Sequence, residues 1–277
     1  MEKLNQIIPS ADWAMQKDRF EAFVESRASI AVEAKQGDIS EIQGRVAVLP
    51  FRGTMVNRFA NFPPLVIDQT AMAQEVKKLG MDKTVGAIVL DVDSGGGTVE
   101  GTPELTAEIA NATKKKPVIA SVNGWAGSAM FWTVSAATKI VASPSAMIGS
   151  VGVIATHLDD SKALEDAGYK VEYITSTDSP YKAEGMGELS DESREYLQSR
   201  VDKIHDQFVT ALAKNRGVSK SHVNAEFGRG RMFYADEAKE RGMIDEIGTL
   251  DDVMNELAQR QKNRNRARAA KFRSNRG

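Results

Sequence analysis

The sequence predicts an α/β fold with a mainly parallel sheet, because apolar strand-like runs alternate with helix-like segments along most of the chain. The run at residues 85–92 (VGAIVLDV) is almost continuously apolar, as expected of a strand that is covered on both faces. The chain has 277 residues, which is enough for one large domain of this kind. Its hydrophobic fraction of 42% and charged fraction of 27% are ordinary for a globular protein.

Six short runs dominated by apolar residues predict the strands of this sheet. They lie at residues 45–51, 85–92, 117–122, 139–142, 151–154 and 171–174. Segments with apolar residues at helix-like spacing fall between and after these runs. They lie at residues 62–79, 103–113, 128–137, 161–167, 190–216, 235–241 and 250–258. The helix at 190–216 has the clearest ends, because Ser190 can cap its N-terminus and Gly217 can end it.

Three segments are expected along the chain: an N-terminal helical arm at residues 1–43, the α/β domain at 44–258 and a basic tail at 259–277. Apolar residues at helix-like intervals over 12–29 predict an amphipathic helix that packs on the domain or contacts another subunit. From residue 260 onwards there are eight Lys/Arg and no Asp/Glu, so with a net charge of −2 the rest of the chain carries −10. This composition predicts a disordered tail whose charge suits contact with an acidic protein or a nucleic acid.

Several classes of protein and site are excluded by what the sequence lacks. The chain contains no cysteine, which excludes a disulfide framework, a thiolate zinc site and a cysteine nucleophile. The N-terminus does not have the basic and apolar regions of a secretory signal peptide, and there is no run of about 18 apolar residues to span a membrane. We therefore expect a cytoplasmic protein without a membrane anchor, and we expect neither a metal nor a cofactor.

Ser128 is the candidate nucleophile. It follows the predicted strand at 117–122 and a turn of mostly small residues at 123–127 (NGWAG), and it begins a predicted helix. A serine in this position can cap the helix with its side chain, or the turn can present its hydroxyl for nucleophilic attack. In the second case the backbone N–H of Ala129 would donate to the oxyanion that forms in the reaction.

A glycine-rich loop at residues 94–97 (SGGG) offers a second oxyanion donor. The loop directly follows the apolar strand at 85–92 and precedes a predicted helix. Glycines let backbone N–H groups approach an anionic oxygen closely, so Gly97 would be this donor and Gly96 would support it. The same loop is compatible with a tight strand-to-helix turn or with a phosphate-binding loop, although it is neither a P-loop nor a GxGxxG fingerprint.

A serine hydroxyl needs a base that accepts its proton. The chain has only three histidines, and none of them lies in an obvious catalytic motif. Lys182, in the segment 178–185 (DSPYKAEG), is the preferred base, because burial favours the neutral form of a lysine amine and the neutral amine accepts protons. A salt bridge or phosphate contact is the simpler role for Lys182, and His157 is the competing base.

The segment 123–154 (NGWAGSAMFWTVSAATKIVASPSAMIGSVGVI) resembles the signal peptide peptidase A group of serine proteases, in the Clp-protease/crotonase superfamily. The spacing from Ser128 to Pro144 and to the following Gly-Ser-Val-Gly matches the nucleophile region of that group. Residues 94–97 match its S-P-G-G loop, and Lys182 falls on the lysine of its K-Y-K-x-x-G segment. Together with a closing motif near the end of the domain, these ordered matches cover most of the chain.

The resemblance implies a ClpP/crotonase-like spiral of ββα units that hydrolyses peptide bonds with a Ser128–Lys182 dyad. It also implies a ring-like homo-oligomer in which the serine and the lysine can come from neighbouring subunits. Two departures concern the oxyanion hole: Gly95 replaces the proline of S-P-G-G, and Ala129 and Met130 replace the glycines after the nucleophile.

The segments 154–157 (IATH) and 181–185 (YKAEG) resemble the tailed-phage branch of this family, in which His157 belongs to the branch pattern. That branch implies a prohead protease that cleaves scaffold and capsid proteins, in the host cytoplasm or inside the immature head. Three alternatives remain open: a cytosolic peptidase that clears signal peptides, a crotonase-fold acyl-CoA enzyme, and a non-catalytic assembly protein with the same fold.

Overall fold

The structure, a computed structural model, describes residues 13–15, 39–57 and 66–274, which form two β-sheets with helices packed around them. The strands in these residues are β1 (Trp13–Met15), β2 (Glu41–Gln43), β3 (Val46–Arg52), β4 (Thr54–Val56), β5 (Val66–Asp68), β6 (Ala87–Ser94), β7 (Gly96–Thr98), β8 (Val118–Gly127), β9 (Lys139–Ala142), β10 (Met147–Gly149), β11 (Met232–Tyr234) and β12 (Glu246–Ile247). The α-helices are α1 (Gln69–Met81), α2 (Thr102–Thr113), α3 (Ala129–Val134), α4 (Ser161–Asp166), α5 (Asp191–Arg216), α6 (Lys220–Glu226), α7 (Ala235–Glu240) and α8 (Leu250–Ser274), and a 3₁₀ turn spans Pro180–Ala183.

The larger sheet has the strand order β11-β10-β8-β6-β3-β2, with β9 paired to β8 and β12 paired to β9. The neighbouring pairs among β3, β6, β8 and β10 are all parallel, and β2 and β11 add antiparallel strands at the two ends. Residues 87–92 of the central strand β6 are buried, as their continuous apolar pattern predicts. The expected α/β fold with a mainly parallel sheet is therefore confirmed.

The smaller sheet has the order β1-β7-β4-β5 and carries the glycine-rich loop. Its strand β4 runs parallel to both β5 and β7, whereas β1 runs antiparallel to β7. Gly97 of β7 lies so close to β4 that an added Cβ would be 1.8 Å from the Met55 carbonyl oxygen. Only glycine fits this approach, which brings the loop against the core.

The helix α5 begins and ends where the sequence predicts. Ser190 caps α5 by accepting the Ser193 N–H, and Gly217, in the left-handed conformation, ends it. The short helix α3 is completely buried, and its Trp132 stacks on Phe208 of α5 with ring centroids 4.7 Å apart. This packing holds the helix that follows Ser128 in one position.

Four local expectations were wrong, and in one of them residues 66–68 form strand β5 instead of part of the helix predicted at 62–79. Residues 171–174 form no strand and are exposed, with Ile174 at 94%. Residues 151–154 contain only an isolated bridge at Ile154, because the strand of this region, β10, comes before them. Trp13–Met15 form a strand rather than part of a helix, because they pair with the edge of β7. The rest of the expected N-terminal helix lies outside the described residues.

The C-terminal helix α8 continues to Ser274, into the segment whose composition predicts a disordered tail. Arg, Lys, Gln and Ala are strong helix formers, and Arg260 forms an ion pair with Glu256 one turn earlier, so the helix continues beyond its contacts with the domain. The boundaries at residues 44 and 258 stay predictions. Among the helices that the structure describes, none has both the length and the apolar character needed to cross a membrane.

Candidate active site

Ser128 lies between the end of β8 and the first residue of α3, with a strained backbone. Its φ of 50° and ψ of −117° are rare for a residue other than glycine. Its N–H donates to the Gly149 carbonyl oxygen at 2.8 Å, and its hydroxyl lies 3.3 Å from the Gly152 carbonyl oxygen. Within the described structure the side chain makes no capping hydrogen bond to α3. The capping alternative for this serine is therefore not realised.

The turn before Ser128 is held by the end of the neighbouring strand β6. The Asp93 carboxylate accepts the Trp125 N–H at 3.1 Å, and an added Cβ on Gly124 would lie only 2.4 Å from the same carboxylate oxygen. An added Cβ on Gly127 would lie 2.9 Å from the Gly95 carbonyl oxygen. The glycines thus let the nucleophile turn and the glycine-rich loop touch through their backbones.

The two expected oxyanion donors flank this contact. Ala129 is the first residue of α3 and is fully buried, so its N–H belongs to the helix end that has no intrahelical acceptor. Gly97 is buried in β7, one residue after Gly96. The Gly96 N–H points to the Ser94 hydroxyl at 3.2 Å, and its φ of 105° requires glycine. The structure therefore brings Ser128, Ala129 and the glycine-rich loop together.

No hydrogen bond joins Lys182 to Ser128 in the described part of the chain. Lys182 lies in the exposed 3₁₀ turn, and no hydrogen bond or ion pair joins its amine to any residue in the described part of the chain. Its neighbour Tyr181 is also exposed, and a hydrogen bond to the Glu192 carboxylate raises the pKa of that phenol. Lys182 itself is exposed.

His157 is half-buried, and its Nε2 is buried without a hydrogen-bond partner in the described structure. No hydrogen bond joins it to Ser128 among the described residues. A metal site is not found either, because no three His, Asp or Glu side chains of the described residues are grouped so that they could hold an ion.

Three groups that position the serine were not predicted from the sequence. Asp93 holds the turn, and the Gly149 and Gly152 carbonyl oxygens contact the Ser128 N–H and hydroxyl. The available signals were the aspartate at the end of an apolar strand and the glycines of the Gly-Ser-Val-Gly segment.

A cavity of about 920 Å³ opens beside Gly152, lined by residues 150–154 together with α5 and α6.

The sequence pattern of peptidase family S49 matches residues 110–264, which is more than half of the chain. A putative signal peptide peptidase SppA of Enterococcus faecium is 29% identical over 196 residues, which cover 68% of this chain and 55% of that protein. Capsid assembly protease C of Escherichia phage lambda is 28% identical over 222 residues, which cover 79% of this chain and 50% of that protein.

The chain thus spans about half the length of these two curated relatives. A solved structure, a point mutant of ClpP1 from Listeria monocytogenes, has a TM-score of 0.46 and 18% identity, and the match covers 74% of this chain and 92% of that one.

Proposed function

Because the chain belongs to peptidase family S49, we propose that it is a serine endopeptidase with Ser128 as nucleophile and Lys182 as general base. The main support for the proposal is the backbone conformation of Ser128. Its positive φ is strained, and its side chain does not cap α3. These two features indicate that the hydroxyl has a role other than helix capping. The buried glycine-rich loop beside it supplies the polar backbone that an acyl-transfer site needs.

In the proposed reaction, Ser128 Oγ attacks the carbonyl carbon of a peptide bond while its proton passes to the neutral Lys182 amine. The carbonyl oxygen becomes an oxyanion, which accepts hydrogen bonds from the Gly97 and Ala129 N–H groups. The C–N bond then breaks, and the Lys182 ammonium gives its proton to the leaving amine. An acyl-enzyme ester on Ser128 remains.

Water completes the proposed cycle. Lys182 removes a proton from the water as its oxygen attacks the ester carbon, and the same N–H groups stabilise the second oxyanion. The bond from the ester carbon to Ser128 Oγ breaks, and Oγ recovers a proton from Lys182. The acid product leaves, and the enzyme returns to its starting state without a metal or cofactor.

We further propose that a neighbouring subunit brings Lys182 to Ser128 in a homo-oligomer. The exposure of Lys182 in one chain supports this, as do several large apolar side chains around it that no described element covers. They are Tyr169, Val171, Tyr173, Ile174, Tyr181 and Met186, all more than a third exposed. An exposed apolar surface of this kind is typical of a protein interface.

The substrate that we propose is the scaffold and capsid protein of an immature phage head, in the host cytoplasm or inside that head. Support comes from the phage lambda relative, whose name assigns it to capsid assembly. A signal peptide peptidase role is the second candidate, because the Enterococcus relative matches at nearly the same identity. Tailed-phage scaffold protein and a synthetic signal peptide, offered to the same enzyme, separate the two roles.

The test of the dyad uses purified protein, an unstructured protein substrate such as casein, and intact-mass analysis of substrate and enzyme. Ser128→Ala and Lys182→Ala should each abolish cleavage while the far-UV circular dichroism and the melting temperature stay near those of the parent. His157→Ala is the matched comparison and should retain substantial activity. If His157→Ala were inactive and Lys182→Ala active, the base would be assigned wrongly. If Ser128→Ala still cleaved casein, the peptidase site would lie elsewhere.

A further inference from the structure

The outer edge of β7 is already paired in this structure. Residues Trp13–Met15 lie antiparallel to it, with Trp13 opposite Thr98, Ala14 opposite Gly97 and Met15 opposite Gly96. These partners include the expected oxyanion donor. A segment that is remote in sequence thus adds a strand beside the proposed catalytic serine.

The direction of β1 matches the direction that a substrate needs. The chain runs from Thr98 towards Gly96, and the next residue of the loop, Gly95, touches Gly127 immediately before Ser128. The acyl part of a peptide substrate must likewise run from its N-terminal end towards the nucleophile, because the attacked carbonyl lies at the C-terminal end of that part. Antiparallel addition to β7 therefore gives β1 the polarity of a bound acyl segment.

The pairing leaves no room for a second peptide on this strand. The opposite edge of β7 is occupied by β4, with Met55 paired to Gly97 at an approach that excludes even a Cβ. An extended peptide that binds by strand addition needs a free edge of backbone N–H and C=O groups. On β7 only the edge taken by β1 can provide one.

We propose that Trp13–Met15 is an intramolecular occupant of the peptide-binding edge of β7 and that it must leave before an extended substrate pairs there. The proposal rests on the peptidase function proposed above. Because the segment belongs to the same chain, it competes at a high effective concentration that dilution does not reduce. A competitor that leaves the edge free in about one molecule in ten weakens apparent peptide binding about tenfold.

The first experiment measures the pairing without any ligand. Hydrogen exchange of the amides of Gly97 and Thr98 is compared between the parent protein, Ala14→Pro and Ala14→Val. Proline removes a backbone N–H and disfavours a paired strand, whereas valine suits one, so only Ala14→Pro should lose protection. Equal protection in Ala14→Pro and the parent would overturn the assignment of β1 to this edge.

The second experiment measures competition in proteins that also carry Ser128→Ala, which prevents cleavage. Fluorescence anisotropy follows the binding of a labelled, unstructured casein peptide. Ala14→Pro and a variant lacking residues 1–16 should bind it about tenfold more tightly, and Ala14→Val should bind as the parent does. If Ala14→Pro loses amide protection on β7 but does not bind the casein peptide more tightly, β1 does not compete with the peptide for this edge.

Absence of peptide binding in every variant would also contradict the proposal that Trp13–Met15 competes with a peptide for β7. Casein cleavage by the parent enzyme, which retains Ser128, would then decide whether the peptidase proposal stands. If cleavage persists, the peptidase proposal stands, and the proposal that Trp13–Met15 competes with a peptide substrate fails. If cleavage is absent as well, both proposals fail together.

Discussion

Gly97→Ala tests the geometry of the site most directly. The new Cβ would lie 1.8 Å from the Met55 carbonyl oxygen, whereas real Cβ atoms essentially never come within 3.0 Å of another atom. The strands β4 and β7 must therefore separate by about 1.2 Å at this point. A misplacement of about 1 Å can lower the rate of an enzyme by about 10²-fold, and forced overpacking typically costs 1–3 kcal/mol of stability.

We therefore expect kcat/KM for an internally quenched peptide to fall about 10²-fold in Gly97→Ala, with a loss of about 1–3 kcal/mol in the free energy of unfolding. Urea unfolding followed by circular dichroism measures the second quantity. Gly80→Ala is the matched control, because its Cβ would meet the Ala112 Cβ at 3.4 Å, an ordinary contact, inside α1. Gly80 lies in the last turn of α1 and does not have a positive φ, so alanine fits its backbone and this control should be active and about as stable as the parent.

Full activity in Gly97→Ala at unchanged stability would contradict this prediction, because the approach of β7 to β4 would then not set the position of the proposed oxyanion donor. A stability loss with unchanged kcat/KM would refute the catalytic half alone. It would mean that the loop can move by more than 1 Å without affecting the reaction.

Two further predictions concern groups around the site and the core. Asp93→Ala removes the acceptor of the Trp125 N–H, so it should lower the free energy of unfolding in urea by about 1–3 kcal/mol and slow peptide hydrolysis. Asp93→Asn keeps an acceptor oxygen at this position and should retain most of the stability and most of the activity. Burial opposes ionisation of Asp245, but hydrogen bonds from Arg216 and the Ile140 N–H outweigh it and lower the pKa of this carboxyl below 3.8. Its ionised form therefore stabilises the fold at neutral pH, and this contribution is lost as the pH falls below about 4 through the lowered pKa. Asp245→Asn should reduce unfolding free energy at pH 7 and flatten its dependence on pH below 4, and an unchanged acid slope would contradict this assignment.

The parts of the fold that sequence predicts well are those whose signals are local. Residues 87–92 of β6 are buried, and the continuous apolar run at 85–92 indicates this directly. The ends of α5 follow from a capping serine and a glycine. The contact between the loop at 94–97 and the turn before Ser128 was also predictable, because parallel strands that follow one another end at the same edge of a sheet.

The parts that differ depend on partners far away in sequence. The run at 171–174 has the composition of a strand, but no described strand offers it an edge, so its apolar side chains remain exposed. Trp13–Met15 pair with β7, about eighty residues further along the chain, and nothing local distinguishes that pairing from a helix. The exposure of Lys182 could not be read from its motif either, because burial depends on what covers the segment.

The two halves of the proposed dyad are held in different ways, and this difference predicts how activity depends on assembly. Ser128 is fixed by contacts with residues more than twenty positions away, whereas the Lys182 N–H donates to the Ser179 carbonyl oxygen within its own turn. One chain therefore positions Ser128 and leaves Lys182 exposed.

If the lysine acts between subunits, mixing Ser128→Ala protein with Lys182→Ala protein should restore activity that neither has alone. Random assembly at equal amounts puts an intact Ser128 next to an intact Lys182 in about a quarter of sites, so about a quarter of parental activity should return. The double variant Ser128→Ala/Lys182→Ala, mixed with either single variant, is the control and should stay inactive. Mixtures that remain inactive while mass measurement shows mixed oligomers would mean that each chain must supply both groups, and that the segment around Lys182 closes onto its own serine.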